Sequence, residues 1–485
     1  MRYRISLLFI CLLLSFHLRI DLVFAEQSPT AQKQIDVPIA RPKGEERPVD
    51  KQPTLLWGRP LTFSGELEIE SRDRRNRSLR RRDDDDNRIS TSLQLETLYS
   101  FSESASLYFK LTPSYRSELY SEDGETEDDS DIKLEQVWLY FPINSGKEMS
   151  IRIGRQYLGD GREWWLDDEL DALQFLYRAK PLKLSVTLGK LPDETSLLEN
   201  DSDAEDKDIF WLIAHANWRW KSKHQFELFL LSRIDQSSLH EQGKIVRTAE
   251  EDESDANLNW LGLRQSGRLK LVGSRWQYWL DLGFVAGRET RYDFDETNNQ
   301  NSVVDERIDH IVSGWGFDVG LTWELPWRTK PRFTWAYASG SGDKSPNNSL
   351  DTNYRQTGLH SNDDRYRGVN SFRYYGELLR PELSNLSITT MALGFSLSSE
   401  GSVEIVYHQY SQHHASDELR NVSLRTDPDG NDTNIGHEIN AIFGFEYWEN
   451  IEVEFIIGQF RAGDAYGEFS GRHSSKVTLE FEYNF

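Results

Sequence analysis

The chain reads as an all-β protein: a transmembrane antiparallel β-barrel of about 18 strands, with short periplasmic turns and long extracellular loops. Three observations predict it. The last ten residues alternate strictly, with Val477, Leu479, Phe481, Tyr483 and Phe485 on one face and Lys476, Thr478, Glu480, Glu482 and Asn484 on the other. A period of two is that of an extended strand, and ten residues suffice to cross a bilayer when tilted. Strand-like segments recur from Pro60 to Phe485, and the connections between them alternate between long and short. Beyond the amino end, no apolar run is long enough to span a membrane as a helix.

The amino end has the layout of an export signal. Met1 to Arg4 is basic, Ile5 to Leu18 is an apolar run diluted by Ser6, Ser15 and His17, and Val23 to Ala25 offers a cleavage site before Glu26. Residues 1–25 are therefore expected to be a signal peptide. Its Cys11 is the chain's single cysteine, so thiol catalysis, disulfides and thiolate metal sites are excluded from the mature protein. Residues 26–56 carry five prolines among Gln, Lys and Glu and are expected to form a disordered periplasmic leader. The barrel is expected to occupy 57–485.

Composition fits this reading once strand geometry is considered. A mean hydropathy of −0.65 looks soluble, but barrel strands give only half of their residues to lipid. The 12% aromatic share suits the girdles at the two membrane interfaces. The net charge is −24 and includes a positive contribution from the signal, which argues against a nucleic-acid partner.

The connections carry the topology. The long ones fall at 72–87, 117–130, 158–168, 191–206, 235–255, 289–307, 341–385, 412–435 and 462–471. The short ones fall at 101–103, 143–147, 179–180, 218–221, 271–273, 326–329, 399–400 and 448–449. Sorting by parity around an even number of strands is a property of outer-membrane barrels, and this many strands imply a lumen wide enough for transport. The expected location is the outer membrane of a Gram-negative cell. The carboxyl-terminal strand ending in Phe485 is expected to meet the barrel-insertion machinery and to close on the first strand near Phe63 to Leu67.

The long loops concentrate acid at Asp83 to Asp86, Glu127 to Asp131, Asp201 to Asp208 and Glu250 to Asp255. These runs read as solvated loops, with bridging of lipopolysaccharide through divalent cations as the alternative. Arg72 to Arg88 interleaves eight arginines with acids. His413 and His414 lack a third ligand, and Asp427 to Asp432 lacks the distal Glu of a calcium loop, so no metal site and no cofactor are expected. No Ser–His–acid set has supporting context, so no enzyme activity is expected.

Gly154 to Ala172 is different in kind: guanidinium and carboxylate groups crowd beside Trp164 and Trp165. Aromatic faces stack on sugar rings and arginine forks bind carboxylates, while a rim salt-bridge cluster is the structural alternative. This segment, together with Tyr354 to Leu359, Phe372 to Glu377 and Arg380 to Leu386, resembles the alginate export family of outer-membrane porins, from about residue 57 to the end. The resemblance implies an 18-stranded barrel passing an anionic polysaccharide, an alginate-like polyuronate, through an arginine-rich constriction. It implies periplasmic polysaccharide-secretion proteins as partners, beside outer-membrane lipid and lipopolysaccharide. It places Arg155, Arg162, Arg355, Arg365 and Arg461 among the pore-lining residues, with Asp168 and Asp171 as acidic partners. Alternation adds Arg152 and Arg178, and sends Arg155 and Arg461 outward if Ile151 and Ile153 face lipid. The family's periplasmic plug loop would fall at 448–449, which is too short here; either the plug is missing or the 341–385 loop gates by folding inward. A general or anion-selective porin for small sugars or organic acids is the competing function.

Overall fold

The computed structural model describes residues 53–485 except 81–84, 122–127, 145–147, 193–194, 199–207, 238–239, 249–250, 299–300, 346–347, 366–370 and 448–449. The expected signal peptide, nearly all of the expected leader and much of the acidic runs lie outside the described residues.

Eighteen antiparallel strands form the wall. They are β1 (Arg59–Arg75), β2 (Asp86–Ser102), β3 (Ala105–Ser121), β4 (Asp128–Pro142), β5 (Met149–Gly159) and β6 (Asp167–Ala179). Next come β7 (Leu182–Lys190), β8 (Ile209–Lys221), β9 (His224–Asp235), β10 (Ser254–Leu271), β11 (Ser274–Asn298) and β12 (Asn301–Glu324). The last six are β13 (Arg332–Gly340), β14 (Leu386–Ser396), β15 (Gly401–Gln412), β16 (Asn434–Tyr447), β17 (Ile451–Ala462) and β18 (His473–Asn484). Each pairs with the next in sequence, and β18 returns to β1 with Glu66 opposite Asn484 and Arg75 opposite Ser475. Phe485 completes the seam by exchanging backbone hydrogen bonds with Gly65 at 2.9 and 3.1 Å. No sheet edge is left to the hydrocarbon, where an unpaired peptide group would cost several kcal/mol.

The alternation in the sequence becomes the two faces of the wall. Leu173, Leu188, Leu261, Phe284, Leu321, Phe333 and Leu479 point outward and are exposed, while their strand neighbours Gln174, Thr187, Asp281 and Thr322 point inward and are buried. An exposed apolar exterior over a polar interior is the arrangement that lipid selects.

Two boundaries depart from expectation. The predicted loop 289–307 is mostly strand: β11 and β12 continue pairing from Glu289–His310 up to Asn298–Asn301. Its Asp, Asn and Glu content suggested a loop, but a hairpin standing above the bilayer has no lipid to face and needs no apolar side. The predicted leader also ends early, because Thr54–Leu56 forms a short strand against Arg59–Leu61 on the edge of β1.

The interior of the barrel receives two of the connections. The connection from β13 to β14, residues 341–385, folds into the lumen. Tyr354, Leu359, Leu379 and Leu383 in it are at most 2% exposed, and they join one apolar cluster with wall residues Trp211, Phe229, Trp260 and Trp279. The connection from β5 to β6 also turns inward and supplies Trp164 and Trp165 to that cluster. The inward fold of 341–385 is the structural part of the second alternative drawn from the short 448–449 connection.

Candidate functional site

The two inward connections are fastened to each other and then to the wall. Thr357 Oγ1 donates to the Trp165 carbonyl at 2.8 Å, Ser361 and Asn362 amides reach the Glu163 carbonyl at 3.1 and 3.0 Å, and Trp164 Nε1 donates to Tyr375 Oη at 2.6 Å. Asp160 shapes the start of its turn: its carboxylate accepts the amides of Arg162, Trp165 and Leu166 at 2.8 to 3.0 Å. Burial alone would raise the Asp160 carboxyl, but Arg264 beside it and the turn amides together outweigh burial and hold it below the usual carboxylate range.

Beneath this turn lies a buried ionic cluster. Arg264, Asp281 and Asp318 occupy one cross-strand row of β10, β11 and β12. Arg162 reaches down to Asp281 at 2.5 Å and Asp318 at 3.0 Å, with its guanidinium over Trp279 at 4.8 Å and Tyr374 at 4.4 Å. Arg264 binds Asp281 at 2.5 Å and also Asp160. Tyr375 Oη and Trp279 Nε1 complete Asp318 at 3.0 and 2.8 Å. A forked, stacked arginine is the residue that such a buried, planar arrangement demands.

A second clamp is Arg355, which binds Glu289 on β11 at 2.7 Å and Asp351 in its own loop. A third anchor lies across the lumen. The Glu438 carboxylate on β16 accepts the amides of Glu377, Leu378 and Leu379 at 2.5 to 3.0 Å, and Glu377 pairs with Lys476 on β18 at 2.9 Å. Burial would raise the Glu377 carboxyl, but Lys476, Arg380 and Arg373 outweigh it and pull it down to about 2.

The plug leaves cavities on both sides. On the periplasmic side, a cup of about 710 Å³ is lined by Lys223, Arg268, Lys270, Arg275, Lys330 and Arg332, against Glu324 and Glu446. It adjoins, through Lys223 and Arg268, a cavity of about 450 Å³ that ends at Arg162, Arg264 and Tyr374. That one adjoins, through Gly161, Gln225 and Glu227, a third cavity of about 550 Å³ under the β5–β6 turn, where Trp138, Tyr108, Arg152, Arg178, Lys183, Gln136 and Gln174 line the wall. On the extracellular side, a cavity of about 710 Å³ is bounded by Trp211, Trp260, Arg233, Arg291, Arg355 and Arg420 together with Glu253, Glu382 and Glu418. The seam wall is acidic instead: Glu68 faces Glu482 and Glu70 faces Glu480 across β1 and β18, and Glu454 faces Glu480 across β17 and β18.

The expected pore residues therefore divide. Arg162 and Arg355 are in the lumen, but bound to the chain's own carboxylates. Arg152 points inward with its guanidinium 4.5 Å from the Trp138 ring, and Arg178 lines the same cavity. Asp168 shares the inward parity of Leu170. Arg155 and Asp171 lie on the outer face with Ile153 and Leu173, joined to each other at 3.0 Å. Arg461 is outward and exposed. Strict alternation, with no bulge in the pairing of β4, β5 and β6 or of β16, β17 and β18, is the reason these three do not line the pore. Arg365 lies in a short hairpin, Asp363–Arg365 against Ser371–Arg373, within the inward connection. The missed residues are Arg264, Asp281, Asp318, Lys223, Arg268 and Lys270. All but Lys223 lie on strands, and their signal was charge at inward parity.

This arrangement defines a class: an outer-membrane β-barrel channel of porin architecture, with two of its own extracellular connections folded into the lumen. Among solved structures the fold is similar to OpdK from Pseudomonas aeruginosa, crystallised with vanillate (TM-score 0.55, 9% identity, covering 87% of this chain and 98% of that one). OccK5 from the same organism gives a TM-score of 0.52 at 7% identity over 87% and 98%. The model of the alginate export family matches residues 190–480, more than half of the chain. The chain belongs to that family. It is 22% identical over 387 residues to the alginate production protein AlgE of Pseudomonas aeruginosa, covering 75% of this chain and 76% of the other. The Azotobacter vinelandii protein of the same name is 23% identical over 276 residues, 53% of each.

Proposed function

We propose that this channel carries an anionic, uronate-rich exopolysaccharide from the periplasm to the cell surface. The observation that carries the reading is the connected series of cation-lined cavities running from the periplasmic turns to the plug. A polyuronate entering a narrow lumen loses water from its carboxylates, and a string of Lys and Arg side chains replaces that hydration without one deep trap. Tyr108, Trp138 and the amides of Gln136 and Gln174 supply the apolar and hydrogen-bonding surface that sugar rings need. The acidic seam wall opposite keeps the polymer against the basic side.

On this reading Arg152 and Arg178 contact cargo, together with Lys223, Arg268 and Lys270, which the sequence did not single out. Arg162 and Arg355 act on the gate. Asp168 sits near the upper end of the path. The periplasmic secretion proteins that deliver polymer would meet the mouth formed by the short turns.

The test is block of a reconstituted channel by uronate oligomers added from the periplasmic side. Replacing Arg268 and Lys270 with Gln is expected to weaken block, while neutral oligomers of the same length block poorly in both proteins. Equal block by neutral and charged oligomers would overturn the reading, and saturable passage of small organic acids without oligomer block would favour an anion porin.

A further inference from the structure

Four glycines stand side by side on the lumen wall at one level. Gly262 of β10 is opposite Gly283 of β11, Gly283 is opposite Gly316 of β12, and Gly316 is opposite Gly340 of β13. They form a strip of bare backbone four strands wide, roughly 14 Å from first to last at the usual strand spacing. The row directly below is the Arg264, Asp281 and Asp318 row of the ionic cluster. Glycine weakens a strand interior, and none of the four has a positive φ that would call for it. Space is the remaining reason for them.

The space is filled by two rings, one from each inward connection. A Cβ on Gly262 would lie 2.5 Å from Trp165 Cη2. One on Gly283 would collide with Tyr354 Oη and come within 3.1 Å of Trp165 Cη2. One on Gly316 would lie 2.5 and 2.6 Å from Tyr354 Cε1 and Cδ1. One on Gly340 would run into the Leu383 carbonyl and sit 3.2 Å from Tyr354 Cβ. Every glycine of the row is therefore in contact with the plug. The rings are 0% and 1% exposed, and Trp164 links them, edge-on to Trp165 at 4.8 Å and stacked with Tyr354 at 6.2 Å.

We propose that this glycine strip is the seat of the gate, a wall site shaped to receive the Trp165 and Tyr354 rings, so that the channel is shut when they lie in it and open when they leave. The ion pairs around it hold the loops by charge; the strip decides how deeply they sit. Ring on backbone is contact without a directional bond, and the buried Trp165 indole N–H has no acceptor among the described residues, so withdrawal breaks no hydrogen bond of that group with them. The same strip, once vacated, is the part of the wall with the least side-chain bulk, so the widest path opens where the plug was.

The test is ion conductance of the full-length channel in planar bilayers, which does not depend on what the cargo is. Gly316→Ala and Gly283→Ala are expected to raise basal conductance several-fold by keeping Tyr354 out of its seat. Tyr354→Ala should do the same with the wall intact, and adding Gly316→Ala to it should change nothing further, because the displaced ring is already gone. Wild-type conductance in a folded Gly316→Ala barrel, or a Gly316→Ala effect undiminished in the Tyr354→Ala background, would overturn the proposal. If the glycine variants do not fold, Trp165→Ala and Tyr354→Ala decide it alone, since they only remove atoms: raised conductance is expected and unchanged conductance overturns it.

Discussion

Asp281 and Asp318 stand directly opposite each other on adjacent strands inside the lumen, and a single guanidinium, that of Arg162, binds both. Like charges in a cross-strand pair repel. Here the repulsion is turned into a lock, because the guanidinium that bridges the two carboxylates is carried by the β5–β6 turn and is in place only while that turn is folded inward.

Arg162→Ala is therefore expected to unseat that turn. Breaking a buried ion pair by removing one partner typically costs about 3–5 kcal/mol, since the other charge stays buried. Basal conductance should rise while the barrel keeps its heat-modifiable migration on gels. Arg162→Lys should rescue poorly, because a point charge cannot fork to two carboxylates and stack on Trp279 and Tyr374.

Seating of the 341–385 connection should depend on pH in a defined window. The Glu377 carboxyl is depressed to about 2 by Lys476 and its arginine neighbours, against about 4.3 for a free glutamate. A depressed carboxyl contributes stability that is complete above the free value and is lost as pH falls through the folded one. Conductance should be flat from pH 7 to about 4.5 and rise below it toward pH 2, with Glu377→Gln already open at pH 7. A wild-type rise confined to alkaline pH would contradict this.

Arg155 and Arg461 serve as controls, since both belong to the resemblance but lie on the outer face. Arg155→Ala and Arg461→Ala should leave oligomer block unchanged within twofold, and the loss of the partly exposed Arg155–Asp171 pair should cost about 1 kcal/mol or less. Weakened block in either would return them to the pore.

Selectivity should respond to the seam. Glu480→Gln with Glu482→Gln removes two carboxyl groups from the acidic wall and should move the reversal potential in a salt gradient toward anions. The same pair should not raise basal conductance, because the residue of β18 that anchors the inward connection is Lys476, nearer the extracellular end. An unchanged reversal potential would place the ion path away from β18.

The wall was legible in the sequence because lipid imposes a rule on alternate residues: Ile451, Val453 and Phe455 announce β17 without any knowledge of its neighbours. The extracellular part of the β11–β12 hairpin was not, because above the bilayer that rule lapses and only pairing remains. The plug was half legible. Tyr354, Leu359, Tyr374, Tyr375, Leu379 and Leu383 are too apolar for a loop in water, and that density, more than any period, marks a buried segment. Arg162 and Arg355 are placed in the lumen by the resemblance, but apart from Asp351 their carboxylate partners come from strands 66 to 156 residues away, a separation that no local pattern encodes. The glycine row was equally hidden, since it exists only once four strands are in register.

The function proposed for this barrel is outward conduction of a polyuronate. It is tested most directly by expressing the chain in an alginate-producing bacterium that lacks its own outer-membrane exporter, and by measuring uronate in the medium and in the periplasm. Secretion is expected to be restored and periplasmic polymer to fall, with Arg268→Gln and Lys270→Gln together reducing the restored flux. Polymer that stays in the periplasm while the barrel is folded in the outer membrane would contradict it.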